Sequence, residues 1–136
     1  MTTIASIVQE ETHMATDKPI IAGVYINRIK KGIPLEADPT LKFALKNFEI
    51  RRVLNADKLV ESPYNTYKYA GIPPGPICIP DISTIDAVLN YSRHDYIFFC
   101  AKEDLSGYSN FAITNSEHEA NARRYQQALD KMNIKR

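Results

Sequence analysis

At 136 residues, 44% apolar and 24% charged, the chain has the size and composition of one globular domain that buries about two-thirds of its unfolded surface. A formal net charge of +1 supplies no global field to recruit nucleic acid or an anionic membrane, and no stretch approaches the ~20 apolar residues of a membrane span. There is no glycine-rich phosphate loop and no metal-ligand spacing, and His13, His94 and His118 lie far apart, so neither metal nor cofactor is expected.

Wound as an α-helix, residues 4–14 (IASIVQEETHM) place Ile4, Ile7, Val8 and Met14 on one face, and Glu11 falls near its middle. Gln9 and His13 point the other way. A carboxyl on a buried stripe loses solvation, which raises its pKa toward neutrality and fits it to serve as a general acid. The bland alternative is a boundary glutamate that snorkels outward or pairs with Arg or Lys. The second helix is expected over 18–31, capped by Thr16 or Asp17, with Pro19 in its first turn and Gly32 as its stop. It is apolar over much of its circumference, which makes it a central packing helix with Asn27 and Arg28 as polar exceptions. Asp38-Pro39-Thr40 reads as an N-cap with proline at the first helical position, opening a short helix through about Leu45. Residues 50–61 suit another short helix or turn, and the pairs Arg51-Arg52 and Arg123-Arg124 read as solvated surface.

Residues 62–80 (SPYNTYKYAGIPPGPICIP) hold five of the eight prolines, a density that predicts a long but rigid loop. Loops of this length in a compact domain are usually functional or disordered, and Tyr64, Tyr67 and Tyr69 argue against disorder. Such tyrosines suit stacking on sugar rings; packing on the core would leave the same sequence trace. A helix follows over 82–90, with Ser83 or Thr84 near its start. Two β-prone runs, 95–101 and 108–114, are joined by KEDLSG as a hairpin. The last helix is expected to open at Ser116, with Glu119 completing a capping box. Its buried stripe is Ala122, Tyr125, Leu129 and Met132, and His118 and Asn121 continue that face toward the helix start. His118 suits either a satisfied boundary position or the lining of a cleft. Cys78 and Cys100 suit a reduced pair or one disulfide. The element order predicts an α+β fold, a helix-rich single domain over residues 1–136 with a small antiparallel hairpin and a rigid Pro/Gly/Tyr-rich loop lining the cleft.

The segments ASIVQEET (5–12), AGVYINRIKKG (22–32), LEADPTLKFAL (35–45), SPYNTYKYAGIPPGPI (62–77), DYIFFCAKED (95–104) and SEHEANARRY (116–125) resemble the YceG/MltG family of endolytic murein transglycosylases. They occur in family order and cover essentially the whole chain; YNTY followed by GIPPGPI is the most specific. The resemblance implies the catalytic domain of a longer protein whose N-terminal membrane helix and LysM-like region lie outside this chain. It implies a soluble fragment of a protein at the extracytoplasmic face of the bacterial inner membrane. Its partners would be peptidoglycan glycan strands and cell-wall synthesis proteins. The family's catalytic glutamate falls on Glu11, the residue that helical phase also singles out. Gln9 occupies a place where many members carry another acid.

The implied reaction breaks the MurNAc–GlcNAc β-1,4 bond without adding water. It needs one carboxyl, whereas ordinary glycosidases need two. The family motifs suggest Asn65 and Tyr67 as hydrogen-bonding partners of the sugar or the acid, and Tyr64 as a stacking platform. Gly75 and its prolines would stiffen the cleft wall. Asn27 is expected nearer the acid than Arg28, because a cation beside Glu11 would lower its pKa. Asp38 is the other carboxylate inside a family motif, with capping as its competing role; His118 and Asn121 complete the substrate-binding candidates. Rival readings are a muramidase-type hydrolase and a non-catalytic peptidoglycan-binding module. A pyridoxal-phosphate lyase is set aside, since no lysine sits in a recognisable cofactor context.

Overall fold

The apolar period of the first segment is realised as α1 (Thr2–Glu11), in which Ile4, Ala5, Ile7 and Val8 are all buried. The structure is a computed structural model and describes residues 1–50 and 53–132; Arg51 and Arg52 lie outside the described residues. The helix stops at Glu11 rather than running to residue 14, because Thr12 turns extended at φ −154° and ψ 149°. The Thr12 hydroxyl accepts a hydrogen bond from Met14 N at 3.0 Å, so Met14 leaves the apolar face. Its methyl end packs instead at Gly107, where a Cβ would stand 2.8 Å from Met14 Cε.

α2 (Lys18–Lys31) has the expected bounds, with Pro19 in its first turn and Gly32 closing it at φ 71°. Ile21, Ala22, Val24 and Tyr25 are wholly buried, which makes it the central helix, packed against α1 and α4 (Ile82–Leu89). Gly23 is there for contact: a Cβ would meet the Ser92 carbonyl oxygen at 2.3 Å and His94 Nε2 at 2.6 Å. Asp17 stands at the N-cap position but makes no side-chain cap bond. Its Oδ2 accepts from Ser109 N at 2.9 Å, tying the start of α2 to the hairpin. Gln9 joins α1 to the start of α4, accepting from Thr84 Oγ1 at 2.6 Å and donating to Asp81 Oδ2 at 3.1 Å.

α3 (Asp38–Ala44) begins where expected, yet Asp38 does not cap it: the N-cap is Ala37, with no side-chain bond. Among the described residues of 50–61, Asn55–Leu59 form a 3-10 turn. The loop over 62–80 is irregular, and buried polar side chains stiffen it as much as its prolines do. Asn65 Nδ2 donates to the Lys58 and Val60 carbonyls at 3.0 and 2.8 Å, and its Oδ1 accepts from Tyr67 N at 3.0 Å. Thr66 Oγ1 accepts from Ala37 N at 2.8 Å, which fastens the loop to the entrance of α3.

The predicted strands shrink to β1 (Phe98–Ala101) and β2 (Ser109–Ala112), antiparallel, with Phe98 opposite Ala112 and Phe99 opposite Phe111. α5 (Asn115–Lys131) is capped by Thr114, whose hydroxyl accepts from Glu117 N; the capping pair therefore lies two residues upstream of Ser116 and Glu119. On its expected stripe Leu129 is buried but Met132 is 54% exposed and lies beyond the helix end. Ala122 and Tyr125 are half-buried, because α5 roofs the hairpin and walls a cleft. Both cysteines are free. The α+β architecture is the expected one, and among the described residues no helix is long and apolar enough to cross a membrane.

Candidate active site

The end of α1, the start of α3, Tyr67, β1 and α5 enclose a cleft of about 570 Å³. Glu11, Arg28, Asp38, Lys58, Tyr67 and His118 are among the residues that line it. Glu11 is the final residue of α1, at the negative end of the helix dipole, where an anion is disfavoured. Burial is the main reason its pKa is raised from 4.5 to about 8; the charge of Asp38 adds to the shift, while Lys42 and the Tyr25 hydroxyl oppose it. The carboxyl is therefore protonated at neutral pH while still facing the cleft, the condition for a general acid.

Freed from capping, the Asp38 carboxylate accepts a hydrogen bond from the Tyr67 hydroxyl. Burial raises the Asp38 pKa, and Tyr67, Lys42 and Lys58 pull it back. Lys58 Nζ lies 4.9 Å from the centre of the Tyr67 ring, so a cation and a phenol brace this second carboxylate. The Tyr67 hydroxyl is held well above its ordinary pKa by burial and Asp38, and it remains a donor.

Arg28, 5% exposed, reaches the cleft wall, where the expectation had put Asn27 nearer the acid. Its Nε donates to the Ile97 carbonyl at 2.6 Å, and Nη1 donates to Pro34 O at 2.6 Å and to Glu36 Oε2 at 3.2 Å. With its charge engaged there, it is not among the groups that shift Glu11. Asn27 turns away, donating to the His94 and Tyr96 carbonyls at 2.8 and 2.9 Å, and so holds the chain leading into β1. Phe98 has Arg28 over its ring at 5.1 Å and the His118 ring stacked on it at 4.8 Å. Burial and Arg28 push the His118 pKa down, and its Nδ1 is buried without a partner among the described residues.

Of the other candidates, Tyr64 packs on Phe43 with ring centres 4.7 Å apart. A Cβ at Gly75 would stand 3.5 Å from the Tyr64 hydroxyl, so this pair backs the loop. Asn65 is 0% exposed and belongs to the loop's internal frame. Asn121 accepts from Arg124 Nη2 along α5. The structure thus brings Asp38, Tyr67 and His118 into the cleft that Glu11 lines, and places Asn27, Tyr64, Asn65, Gly75 and Asn121 outside the residues lining it. Sequence reasoning passed over Tyr25, Lys42, Lys58 and Phe98. For Lys42 a signal existed, since it lies four residues after Asp38 and hence on the same helical face. Among the described residues no cluster of His, Cys, Asp and Glu is arranged to hold a metal ion.

Residues 1–124 match the YceG-like family. The chain is 40% identical over 123 residues to the endolytic murein transglycosylase of Bacillus subtilis (strain 168), an alignment covering 90% of this chain and 33% of that protein. It is 31% identical over 123 residues to the endolytic murein transglycosylase of Streptococcus pneumoniae (strain D39), covering 88% and 22%. The crystal structure of the yceG-like protein lmo1499 from Listeria monocytogenes aligns with a TM-score of 0.80 at 36% identity, over 87% of this chain and 38% of that one. The chain therefore spans a third or less of the length of the curated relatives named here.

Proposed function

The chain belongs to the YceG-like family, and on that premise we propose that it cleaves the glycan strands of murein as an endolytic transglycosylase, the activity named for its Bacillus and Streptococcus relatives. The observation that carries this reading is Glu11, an acid kept protonated near neutral pH in the lining of a cleft large enough for sugar rings. In the first half of the reaction the Glu11 carboxyl donates its proton to the glycosidic oxygen. The bond between that oxygen and C1 of the MurNAc ring breaks as the GlcNAc alcohol leaves. In the second half the Glu11 carboxylate takes the proton from the MurNAc C6 hydroxyl while O6 bonds to C1. The product end is 1,6-anhydroMurNAc, and Glu11 regains its proton with no water consumed.

Asp38, held by Tyr67 and faced by Lys42 and Lys58, supplies a fixed negative charge beside the positive charge that develops on the sugar ring. His118 and Phe98, stacked on each other in the lining of the same cleft, are the residues that contact the strand. A second reading, a muramidase-type hydrolase, is favoured by one observation: Asp38 places a second carboxyl in the same cleft, the pairing that hydrolytic glycosidases use. By family resemblance the domain over residues 1–136 is the catalytic part of a longer protein. That protein would be anchored in the bacterial inner membrane, face the wall and work alongside wall-synthesis proteins. Purified murein treated with the wild type and with Glu11→Gln tests the reading. Soluble glycan fragments from the wild type alone support it, and equal release by both proteins removes Glu11 from the chemistry.

A further inference from the structure

Tyr25 lies on α2 with its side chain wholly buried, its ring edge-on to Phe99 with centres 5.6 Å apart and planes at 83°. Its hydroxyl is buried without a hydrogen-bond partner among the described residues, yet it lies close enough to the Glu11 carboxyl to favour the charged form. Phenylalanine would fill the same space without an unpaired hydroxyl, so the hydroxyl costs stability in the resting protein. A donor aimed at a group that is neutral at rest but charged during a reaction favours the charged state selectively. We propose that Tyr25 is a positioning residue whose hydroxyl is idle while Glu11 holds its proton and hydrogen-bonds the carboxylate once that proton has been given up.

The surrounding groups agree with this division of labour. Glu11 is faced by Asp38 and Lys42 of α3 as well as by Tyr25 of α2; Asp38 opposes the carboxylate, while Lys42 and Tyr25 favour it. Tyr25 in turn is faced by Glu11, Asp38, Tyr67 and Arg28, and its own pKa stands well above the ordinary phenol value. It therefore keeps its proton throughout and serves only as a donor. The hydroxyl thus offsets part of the burial penalty on the Glu11 carboxylate. The catalytic consequence rests on the function proposed above; the pairing itself does not.

Carbon-13 NMR of protein labelled at glutamate carboxyls follows the Glu11 titration directly, with the signal assigned by its loss in Glu11→Gln. In Tyr25→Phe the Glu11 midpoint is expected to rise by about half to one pH unit. The alkaline limb of murein cleavage should move with it, and kcat should fall about threefold, as expected for a weaker acid, at unchanged KM. The melting temperature should stay equal or rise. A Glu11 midpoint unchanged in Tyr25→Phe overturns the proposal. A midpoint that moves in a protein releasing no murein fragments would sink the proposed function while leaving the pairing in place.

Discussion

Replacing Glu11 by glutamine removes a titratable acid from a place that disfavours its charge, so the change in stability must depend on pH in a defined way. Below its ordinary pKa of 4.5 the carboxyl is protonated in both the folded and unfolded chain and contributes nothing. Between 4.5 and about 8 only the unfolded chain ionises, so the wild type loses about 1.4 kcal/mol of stability per pH unit as pH rises. The loss levels off above about 8, where both states are ionised. By pH 7 it sums to about 3 kcal/mol. Glutamine, close in shape and neutral, escapes this cost. Glu11→Gln should match the wild type at pH 4 and exceed it at pH 7 by about 3 kcal/mol, a rise of about 10 °C in Tm for a domain of this size. Urea unfolding followed by circular dichroism at a series of pH values between 4 and 8 measures the difference. A difference that does not vary with pH, or a variant less stable than the wild type at pH 7, would show that Glu11 is not held neutral by burial.

Three further outcomes follow from other parts of the structure. Asn65→Ala removes the bonds to the Lys58 and Val60 carbonyls and to Tyr67 N at a fully buried position, and should cost about 3 kcal/mol in a thermal melt; an unchanged melt denies Asn65 its place in the loop frame. Gly23→Ala drives a methyl into the Ser92 carbonyl at 2.3 Å, so about 2 kcal/mol or more should be lost in denaturant unfolding. Murein cleavage by the wild type should decline about tenfold per pH unit above about 8 as Glu11 loses its proton, and a rate that holds constant from pH 6 to 10 would count against a titrating acid.

The apolar spacing of Ile4, Ile7 and Val8 was enough to place Glu11 on a buried face, because burial follows the helical period directly. Where α1 ends was harder to read: the Thr12 hydroxyl accepts locally from Met14 N at 3.0 Å and donates to the Gly107 carbonyl at 3.5 Å, and the second contact has no local sequence signal. Asp38 illustrates a different limit. An Asp-Pro-Thr run looks the same whether the carboxylate caps its own helix or not, and the partner it takes, Tyr67, comes from a loop 29 residues away. Tyr64, Tyr67 and Tyr69 were equivalent on paper. Packing gives them separate fates: one against Phe43, one in the cleft, one on the surface bonded to Glu61. At the start of α5 two overlapping capping patterns compete, Thr114 with Glu117 and Ser116 with Glu119, and the helix starts at the earlier one. Asn27 and Arg28 were ordered by charge alone. The carbonyls that absorb the guanidinium, from Pro34 and Ile97, come from segments whose placement depends on the whole fold.

In the proposed reaction one protonated glutamate breaks the glycan bond with the substrate's own hydroxyl as nucleophile. Mass spectrometry of murein fragments released in oxygen-18 water tests it most directly, using the wild type and Glu11→Gln. Wild-type fragments should end in 1,6-anhydroMurNAc, lighter by one water than hydrolysis products and free of the label, and the variant should release none. Reducing ends carrying oxygen-18 would contradict it and assign Asp38 the task of activating water.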